Sequence, residues 1–334
     1  MRKWFEQRTY DYAQFVDPAA LAGRKRELGL SVSVLLTCFR ETKAVRTSIG
    51  DIHDLNERPA LSDQIALIAA SSTHGLYAAC PGVEVYCGGE LMPEYGPVSG
   101  KGDAMWRMLS IARGYLVVYV NVEATAFEPH FFCGVLGPLL SFRRVRFAKA
   151  AYEYPFWGAQ DEAKPEVDEA LPELMARPLI NLHYPELSRF LQPLSGEFAA
   201  PRELLCSIPF FTGQTTQMTI MVDILNKVGP DAMAQVNVGM RWGRKRFLGN
   251  LGCESYALLR AVDLRLGRGS SGPPPSEEAH PWVNGMPAAV DSYTRPVSSF
   301  EGVGFRKDTT EIAERPPMTR VLQDPTRAAR IDCR

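Results

Sequence analysis

The chain lacks the cysteine and histidine spacings of common metal and redox sites. Its 7 cysteines are scattered, and no two have the Cys-x-x-Cys spacing of a zinc or thiol–disulfide motif. The 5 histidines form no ligand spacing either. We therefore expect free thiols in a reducing cytoplasm. Cys38 and Cys133 lie inside apolar runs and are expected to pack as small hydrophobic side chains.

The sequence also lacks targeting segments and a strong charge of one sign. The opening residues, MRKWFEQRTYDYAQFV, contain no apolar stretch that is typical of a signal peptide. No run reaches the roughly 18 apolar residues that a transmembrane helix needs. The formal net charge is −1, which gives no general attraction to nucleic acid or to an anionic membrane. We expect a cytoplasmic protein that binds neither.

The first half of the 334-residue chain alternates between strand-like and helix-like segments. The predicted elements are strands at 30–39, 64–71, 82–87 and 115–122 and helices at 41–55 and 103–114. This alternation favours an α/β fold with a mostly parallel sheet and helices on both faces.

The second half has a more mixed pattern. The predicted elements are strands at 144–154 and 231–240 and helices at 171–191, 215–229 and 254–266. Residues 1–29 are charged and aromatic and are expected to form an N-terminal arm. From residue 267 the composition shifts to GRGSSGPPPSEEAHPW, which predicts a flexible linker and an irregular tail over 267–334. A docking point in that tail is expected at ERPPM, residues 314–318.

The stretch GKGDAMW, residues 100–106, is the most informative one for function. Gly100 and Gly102 flank Lys101 just before a predicted helix. Glycines let a backbone approach a phosphate closely, and a helix N-terminus adds partial positive charge. An ordinary glycine turn with a solvated lysine fits the same spacing, so both interpretations stay open.

Seven stretches together resemble one family of enzymes. In chain order they are MPEYGPVSGKGDAMW, GVLGPLL, KAAYEYPF, ELMARPLINLHYPEL, QPLSGEFAAPRELLCSIPF, DAMAQVNVGMR and ERPPM. They resemble the glucosyl-3-phosphoglycerate synthases and their mannosyl relatives, which are retaining glycosyltransferases of the GT-A fold. The resemblance implies a nucleotide-sugar-binding half at 30–143 and an acceptor-binding half of the same domain at 144–266. It also implies UDP-glucose or GDP-mannose as donor, 3-phosphoglycerate as acceptor, and a homodimer.

The metal position of the family is changed in this sequence. The family's strand ends in Asp-x-Asp, where this chain has Asn121-Val122-Glu123. A histidine ligand of the family aligns with Gly243, which has no side chain. Mg²⁺ binds hard oxygen ligands, and an asparagine oxygen brings no charge. The resemblance therefore implies Mg²⁺ or Mn²⁺ at Asn121 and Glu123 if the protein is active, and no metal if the site is lost.

The positions that meet the donor are also mostly changed. Of the family's first loop only Glu41 matches, and of the acidic pattern after the second strand only Ser72 survives. The glycine loop with Lys101 is intact. By resemblance, the donor-binding candidates are Gly100, Lys101, Gly102, Glu41 and Ser72.

On the acceptor side, Gln217 stands at the position of a family glutamate near the reacting centre. Because a glutamine cannot act as a base, Gln217 is not assigned a catalytic role, and no other catalytic residue is assigned. The acceptor-binding candidates are Ser195, Gly196, Glu197, Arg244 and Lys245. The turn at 195–197 is intact, and a purely structural turn explains it equally well.

Two hypotheses follow from this pattern. One is a GT-A scaffold with a degenerate site whose ordinary turnover is lost or strongly impaired. The other is an active, metal-dependent retaining glycosyltransferase with a rearranged site, in which Glu123 holds the metal and Lys101 with Arg244 or Lys245 holds phosphates. A pure interaction protein is a third hypothesis, and no sequence feature favours it.

Overall fold

The structure is a computed structural model of the chain. It describes residues 2–38, 43–57, 60–69, 82–122, 129–153, 170–213, 215–240, 248–267, 289–299 and 302–323.

An eight-stranded sheet forms the centre of the molecule. Its strands, numbered along the chain, are β1 (Thr9–Asp11), β2 (Val32–Cys38), β3 (Gln64–Ala69), β4 (Glu84–Cys87), β5 (Leu116–Val120), β6 (Phe147–Glu153), β7 (Phe198–Pro201) and β9 (Met233–Met240). Their order across the sheet is β1-β9-β6-β7-β5-β2-β3-β4. Strand β7 runs antiparallel to both neighbours, and every other pairing in the sheet is parallel.

Helices cover both faces of this sheet. They are α1 (Arg2–Arg8), α2 (Pro18–Glu27), α3 (Lys43–Glu57), α4 (Gly100–Met108), α5 (Pro129–Ser141), α6 (Arg177–His183), α7 (Arg202–Cys206), α8 (Thr216–Val228), α9 (Leu248–Arg265) and α10 (Met318–Leu322). A π-helical turn, Pro172–Ala176, precedes α6, and short 3-10 turns lie at 12–15, 93–95, 185–189 and 230–232.

Side chains of the central strands alternate between two apolar layers. In β2, Leu35 packs in the layer that contains α4, whereas Val34 and Leu36 pack in the layer that contains α3 and α5. Every residue of β2 is buried. A strand covered on both faces is mostly apolar, which is why LSVSVLLTCF reads as a nearly continuous hydrophobic run. The buried hydroxyl of Ser33 within it donates to Gln64 Oε1 at 2.7 Å. The α/β class and the mostly parallel sheet are confirmed.

The structure corrects the predicted irregular tail. Residues 289–299 and 302–312 form an antiparallel hairpin of strands β10 and β11. Strand β12, Glu314–Arg315, then pairs with β8, Phe210–Phe211. The linker composition at 267–282 hid this segment, because the hairpin depends on cross-strand pairing that composition does not show. The docking point predicted at ERPPM is confirmed.

The N-terminal residues do more than pack against the body, since β1 extends the sheet by pairing with β9. The boundaries of the two predicted halves stay predictions. Among the described residues, none of the helices has the length and apolar character needed to cross a membrane. Cys38 and Cys133 are buried free thiols, as predicted.

Candidate functional site

Sheet direction brings some of the predicted site residues to one edge. Parallel strands β2, β3 and β5 all end at this edge, and Asn121 directly follows β5. Strand β7 is antiparallel, so it begins where β5 ends, with Tyr119 paired to Phe198. The turn at 195–197 therefore lies beside Asn121. In open α/β sheets, ligands bind in the crevice outside the carboxyl ends of the strands.

Lys101 reaches the same place from the first turn of α4. A Cβ atom built on Gly196 would lie 2.8 Å from Lys101 Nζ and 3.3 Å from Asn121 Cβ. These distances place the ammonium group, the amide side chain and the backbone of Gly196 together. A side chain at position 196 would occupy the space that the ammonium uses. Three of the residues assigned by resemblance to metal, donor and acceptor are thus neighbours.

The two glycines around Lys101 are explained by packing. Gly100 has a φ of +81°, a conformation that glycine adopts without strain. A Cβ on Gly102 would lie 1.8 Å from the carbonyl oxygen of Phe211. The chain at 100–102 is therefore pressed against the loop at 211–213. This contact accounts for the glycines without a ligand.

Lys149 is a buried lysine beneath the site, and it was not among the predicted site residues. It lies in β6 with 1% of its surface exposed, and its Nζ donates to the carbonyl oxygen of Ser195 at 2.5 Å. Burial lowers the pKa of Lys149 from 10.5 to about 7, against the opposing effect of Glu197 and with a further lowering by Lys101. A lysine inside the apolar run FAKAAY was the available signal.

The intact turn at 195–197 is held by the backbone of β6. Ser195 Oγ donates to the carbonyl oxygen of Ala150 at 2.6 Å, and Ala150 N donates to the carbonyl oxygen of Glu197 at 3.0 Å. Glu197 is fully buried. These contacts support the structural interpretation of the turn, and acceptor binding by Ser195, Gly196 and Glu197 stays a prediction.

Gln217 lies in the first turn of α8 and is 4% exposed. Its neighbour Thr216 packs against Gly102, where a Cβ atom would lie 2.8 Å from Thr216 Cβ. The N-termini of α4 and α8 are therefore adjacent. Gln217 carries a neutral amide, which can hydrogen-bond but cannot take up a proton as a general base.

A second buried charge cluster fixes the loop before α4. Arg107 is fully buried, and its guanidinium donates to the carbonyl oxygens of residues 91, 92, 95, 96 and 97 as well as to Asp103. Asp103 Oδ2 also accepts from Ser99 N at 2.9 Å. Asp103, in the first turn of α4, therefore joins the start of the helix to a larger network. Arg107 was not among the predicted site residues.

The described residues do not fit a divalent cation well. Asn121 offers one neutral oxygen, and its neighbour Lys101 brings positive charge. Within the described ranges, no group of three or more histidine, cysteine, aspartate or glutamate side chains could hold a metal ion. Hard cations need several oxygen ligands, of which one or two are usually carboxylates. The predicted ligand Glu123 lies outside the described residues.

Four further candidates also lie outside the part of the chain that the structure describes. They are Glu41, Ser72, Arg244 and Lys245. Their assignment to donor or acceptor stays a prediction.

Proteins similar to the chain in sequence include glucosyl-3-phosphoglycerate synthases. Glucosyl-3-phosphoglycerate synthase of Petrotoga mobilis is 31% identical over 263 residues, which is 78% of this chain and 81% of that one. The enzyme of the same name from Mycolicibacterium smegmatis is 33% identical over 305 residues, which is 90% of this chain and 91% of the relative. No protein-family model matches the chain.

Solved structures similar to the chain include mannosyl- and glucosyl-3-phosphoglycerate synthases. Mannosyl-3-phosphoglycerate synthase of Rubrobacter xylanophilus superposes with a TM-score of 0.82 at 44% identity, covering 96% of this chain and 99% of that one. Glucosyl-3-phosphoglycerate synthase of Mycobacterium tuberculosis, solved with Mn²⁺, UDP-glucose and phosphoglyceric acid, gives a TM-score of 0.73 at 28% identity. Those two chains overlap over 91% of this protein and 95% of the relative.

The sheet order, the strand-edge cluster and these superpositions define an α/β protein of the GT-A glycosyltransferase fold. Within that class, the chain belongs to the glucosyl-3-phosphoglycerate synthase family.

Proposed function

We propose that the chain is a GT-A-fold protein that keeps a pocket for a nucleotide sugar, while ordinary sugar transfer to 3-phosphoglycerate is lost or strongly impaired. The observation that carries this proposal is the set of residues at the end of β5. There Asn121 stands where the family has an acid, next to the ammonium of Lys101 and the backbone of Gly196.

A nucleotide diphosphate leaves with negative charge, which a divalent cation normally neutralises. Asn121 supplies no charge to hold that cation, and Gln217 supplies no base. Losing one preorganised electrostatic stabiliser of a transition state costs about 2.7–4 kcal/mol. Two such losses would leave little turnover.

We expect the chain to bind a nucleotide sugar even where sugar transfer is lost. Lys101 keeps its place, and the glycine loop that carries it is tightly packed against residues 211–213. A relative binds UDP-glucose and phosphoglyceric acid together with Mn²⁺. The ligand class proposed for this chain is therefore a uridine or guanosine diphosphate sugar, with 3-phosphoglycerate as the second ligand. The homodimer and the cytoplasmic location stay predictions.

The second candidate is an active metal-dependent retaining glycosyltransferase that moves glucose or mannose with a rearranged site. It is favoured by the likeness to a solved mannosyl-3-phosphoglycerate synthase, which is 44% identical over 96% of this chain. It requires that ligands outside the described residues, Glu123 first, compensate for Asn121.

A transfer assay separates the two candidates. UDP-glucose and GDP-mannose are each incubated with 3-phosphoglycerate and Mg²⁺ or Mn²⁺, with the Mycobacterium tuberculosis enzyme as positive control. We expect turnover at least about 10³-fold below the control, in line with the loss of more than one stabiliser. Turnover comparable to the control would establish the active alternative.

Restoring the acid at the end of β5 should restore metal dependence. In Asn121→Asp the new carboxylate neighbours Lys101 and precedes Glu123 by two residues. We expect UDP to bind about tenfold more tightly with Mn²⁺ than with a chelator, a difference of about 1.4 kcal/mol. Titration calorimetry measures it.

The matched control is Asn181→Asp, the same change at an exposed position of α6. It should leave the metal response of the parent chain unchanged. If folded Asn121→Asp shows no more metal dependence than this control, the position does not limit metal binding.

A further inference from the structure

The C-terminal strand β12 contacts the loop that supports the candidate site. Its residues Glu314 and Arg315 pair with Phe211 and Phe210 of β8. Thr212 N then donates to the carbonyl oxygen of Ala313 at 2.9 Å. The tail thus extends along the segment against which Gly102 is packed. Nothing in the proposed chemistry uses this contact.

Arg315 carries the charge of this strand into the core. It is 1% exposed, and its Nε donates to Asp103 Oδ1 at 2.7 Å while a terminal nitrogen donates to Asp103 Oδ2 at 3.0 Å. The guanidinium carbon lies 5.4 Å from the ring centre of Tyr95 and 5.6 Å from that of Trp106. A bidentate arginine–carboxylate pair fixes both partners in distance and in plane.

Neighbouring contacts fix the same segment. Trp106 Nε1 donates to the carbonyl oxygen of Pro316 at 2.7 Å. Glu314 pairs with Arg265 at 2.5 Å, and Arg265 pairs in turn with Asp223 of α8 at 2.7 Å. Two adjacent tail residues of opposite charge therefore tie strand β12 to α4 and to the pair that joins α9 with α8.

Asp103 connects this tail to Lys101. Its carboxylate accepts from Ser99 N at 2.9 Å, and its own N donates to the carbonyl oxygen of Thr212 at 3.1 Å. Lys101 lies between residues 99 and 103, so both ends of its short segment depend on Asp103. Rotation or displacement of that carboxylate would move the first turn of α4, and with it the ammonium beside Asn121.

We propose that Arg315 is a positioning residue that holds Lys101 in place for the diphosphate of a nucleotide sugar, acting through Asp103. The binding part of this inference rests on the retained pocket proposed above, whereas the ordering of residues 99–103 does not. A buried ion cluster is a costly way to fill a core, since apolar residues of similar volume often stabilise as well or better. Unlike apolar packing, the directional hydrogen bonds of Asp103 fix the geometry of the first turn of α4.

Amide hydrogen exchange of the unliganded protein tests the ordering directly. In Arg315→Met, amides of residues 99–104 should exchange at least about tenfold faster, because local opening raises exchange without global unfolding. Amides of β2, in the centre of the sheet, should keep the rates of the parent chain. Arg320→Met is the matched control, since Arg320 is an exposed arginine of the same tail segment.

Arg315→Lys keeps the charge but loses the bidentate geometry. In Arg315→Lys the amide exchange rates of residues 99–104 should also rise, but less than in Arg315→Met. Arg315→Lys serves as the test if Arg315→Met does not fold. Unchanged rates at 99–104, or an equal increase at 99–104 and in β2, would overturn the proposal.

A double-mutant cycle with Lys101→Met tests the route to the ligand. UDP affinity is measured for the parent chain, Arg315→Met, Lys101→Met and the double variant. If Arg315 acts through Lys101, its replacement should weaken UDP binding about tenfold in the parent chain and hardly at all in the Lys101→Met background. Equal losses in both backgrounds would show a purely structural role.

The two proposals fail in different ways. A parent chain that does not bind UDP in any condition contradicts the retained pocket, while hydrogen exchange still decides whether Arg315 orders residues 99–103. A parent chain that binds UDP without coupling between Arg315 and Lys101 contradicts only the positioning role.

Discussion

Asp103→Asn is expected to lower the free energy of unfolding by about 3–5 kcal/mol, the cost of breaking a buried ion pair from one side. The carboxylate of Asp103 is fully buried between Arg107 and Arg315, which are 0% and 1% exposed. An asparagine keeps the shape but removes the charge, so two buried guanidinium groups lose their counter-ion. The remaining carbonyl acceptors of Arg107 satisfy hydrogen bonds but do not balance charge.

Chemical denaturation of the parent chain and of Asp103→Asn measures this loss. Asp231→Asn is the matched control, because Asp231 is exposed beside the start of β9. The control should change the unfolding free energy by less than about 0.5 kcal/mol. A loss below about 1 kcal/mol in Asp103→Asn would show that the arginines do not depend on this carboxylate.

Lys149→Met is expected to abolish a large rise in stability between pH 7 and 10. Burial holds the pKa of Lys149 at about 7 in the folded protein, against 10.5 as the ordinary value. Because the folded pKa is the lower one, the stability linked to deprotonation is present above the ordinary pKa and is lost as pH falls through about 7. At 1.36 kcal/mol for each pKa unit the full effect is about 5 kcal/mol, of which the parent chain should gain about 3.5 kcal/mol between pH 7 and 10 relative to the variant.

The measurement is the unfolding free energy of both proteins at several pH values from 6 to 10. Other groups titrate equally in both, so the difference between the curves isolates Lys149. Lys227→Met, at an exposed lysine of α8, is the control and should follow the parent curve. Parallel curves for the parent chain and Lys149→Met would mean that Lys149 is charged and well solvated in the folded state.

The sheet could be predicted because its strands are buried on both faces. Continuous apolar runs such as LSVSVLLTCF and QIALIAAS correspond to β2 and β3 within a few residues. Helix α4 starts earlier and is shorter than the helix predicted at 103–114. It begins at Gly100, because Asp103 accepts from Ser99 N there, and it ends at Met108.

Contacts between distant parts of the chain could not be read from local pattern. Arg315 and Asp103 are 212 positions apart, and neither residue is unusual in its own segment. The hairpin at 289–312 was hidden for the same reason. Strand pairing depends on register with a partner, whereas the composition of the preceding stretch suggested only a linker.

The candidate site was predicted in part. Resemblance assigned Lys101, Asn121 and Gly196 separately to donor, metal and acceptor, and the structure shows that the three residues are neighbours. Their roles stay predictions. The phosphate interpretation of Gly100 and Gly102 came from their spacing alone, whereas packing against residues 211–213 is what requires them. Lys149 lies beneath the site in β6, and a lysine inside the apolar run FAKAAY was the sequence signal for it.

The most direct test of the central claim is calorimetric titration of the parent chain with UDP-glucose and with GDP-mannose, each with Mg²⁺ or Mn²⁺ and with a chelator. A retained pocket without a competent metal site predicts weak binding of one of these nucleotide sugars, with the same affinity in the presence and absence of metal. Tight binding that appears only with metal would contradict this account, because it would show that the ligands around Asn121 and Glu123 still hold the cation.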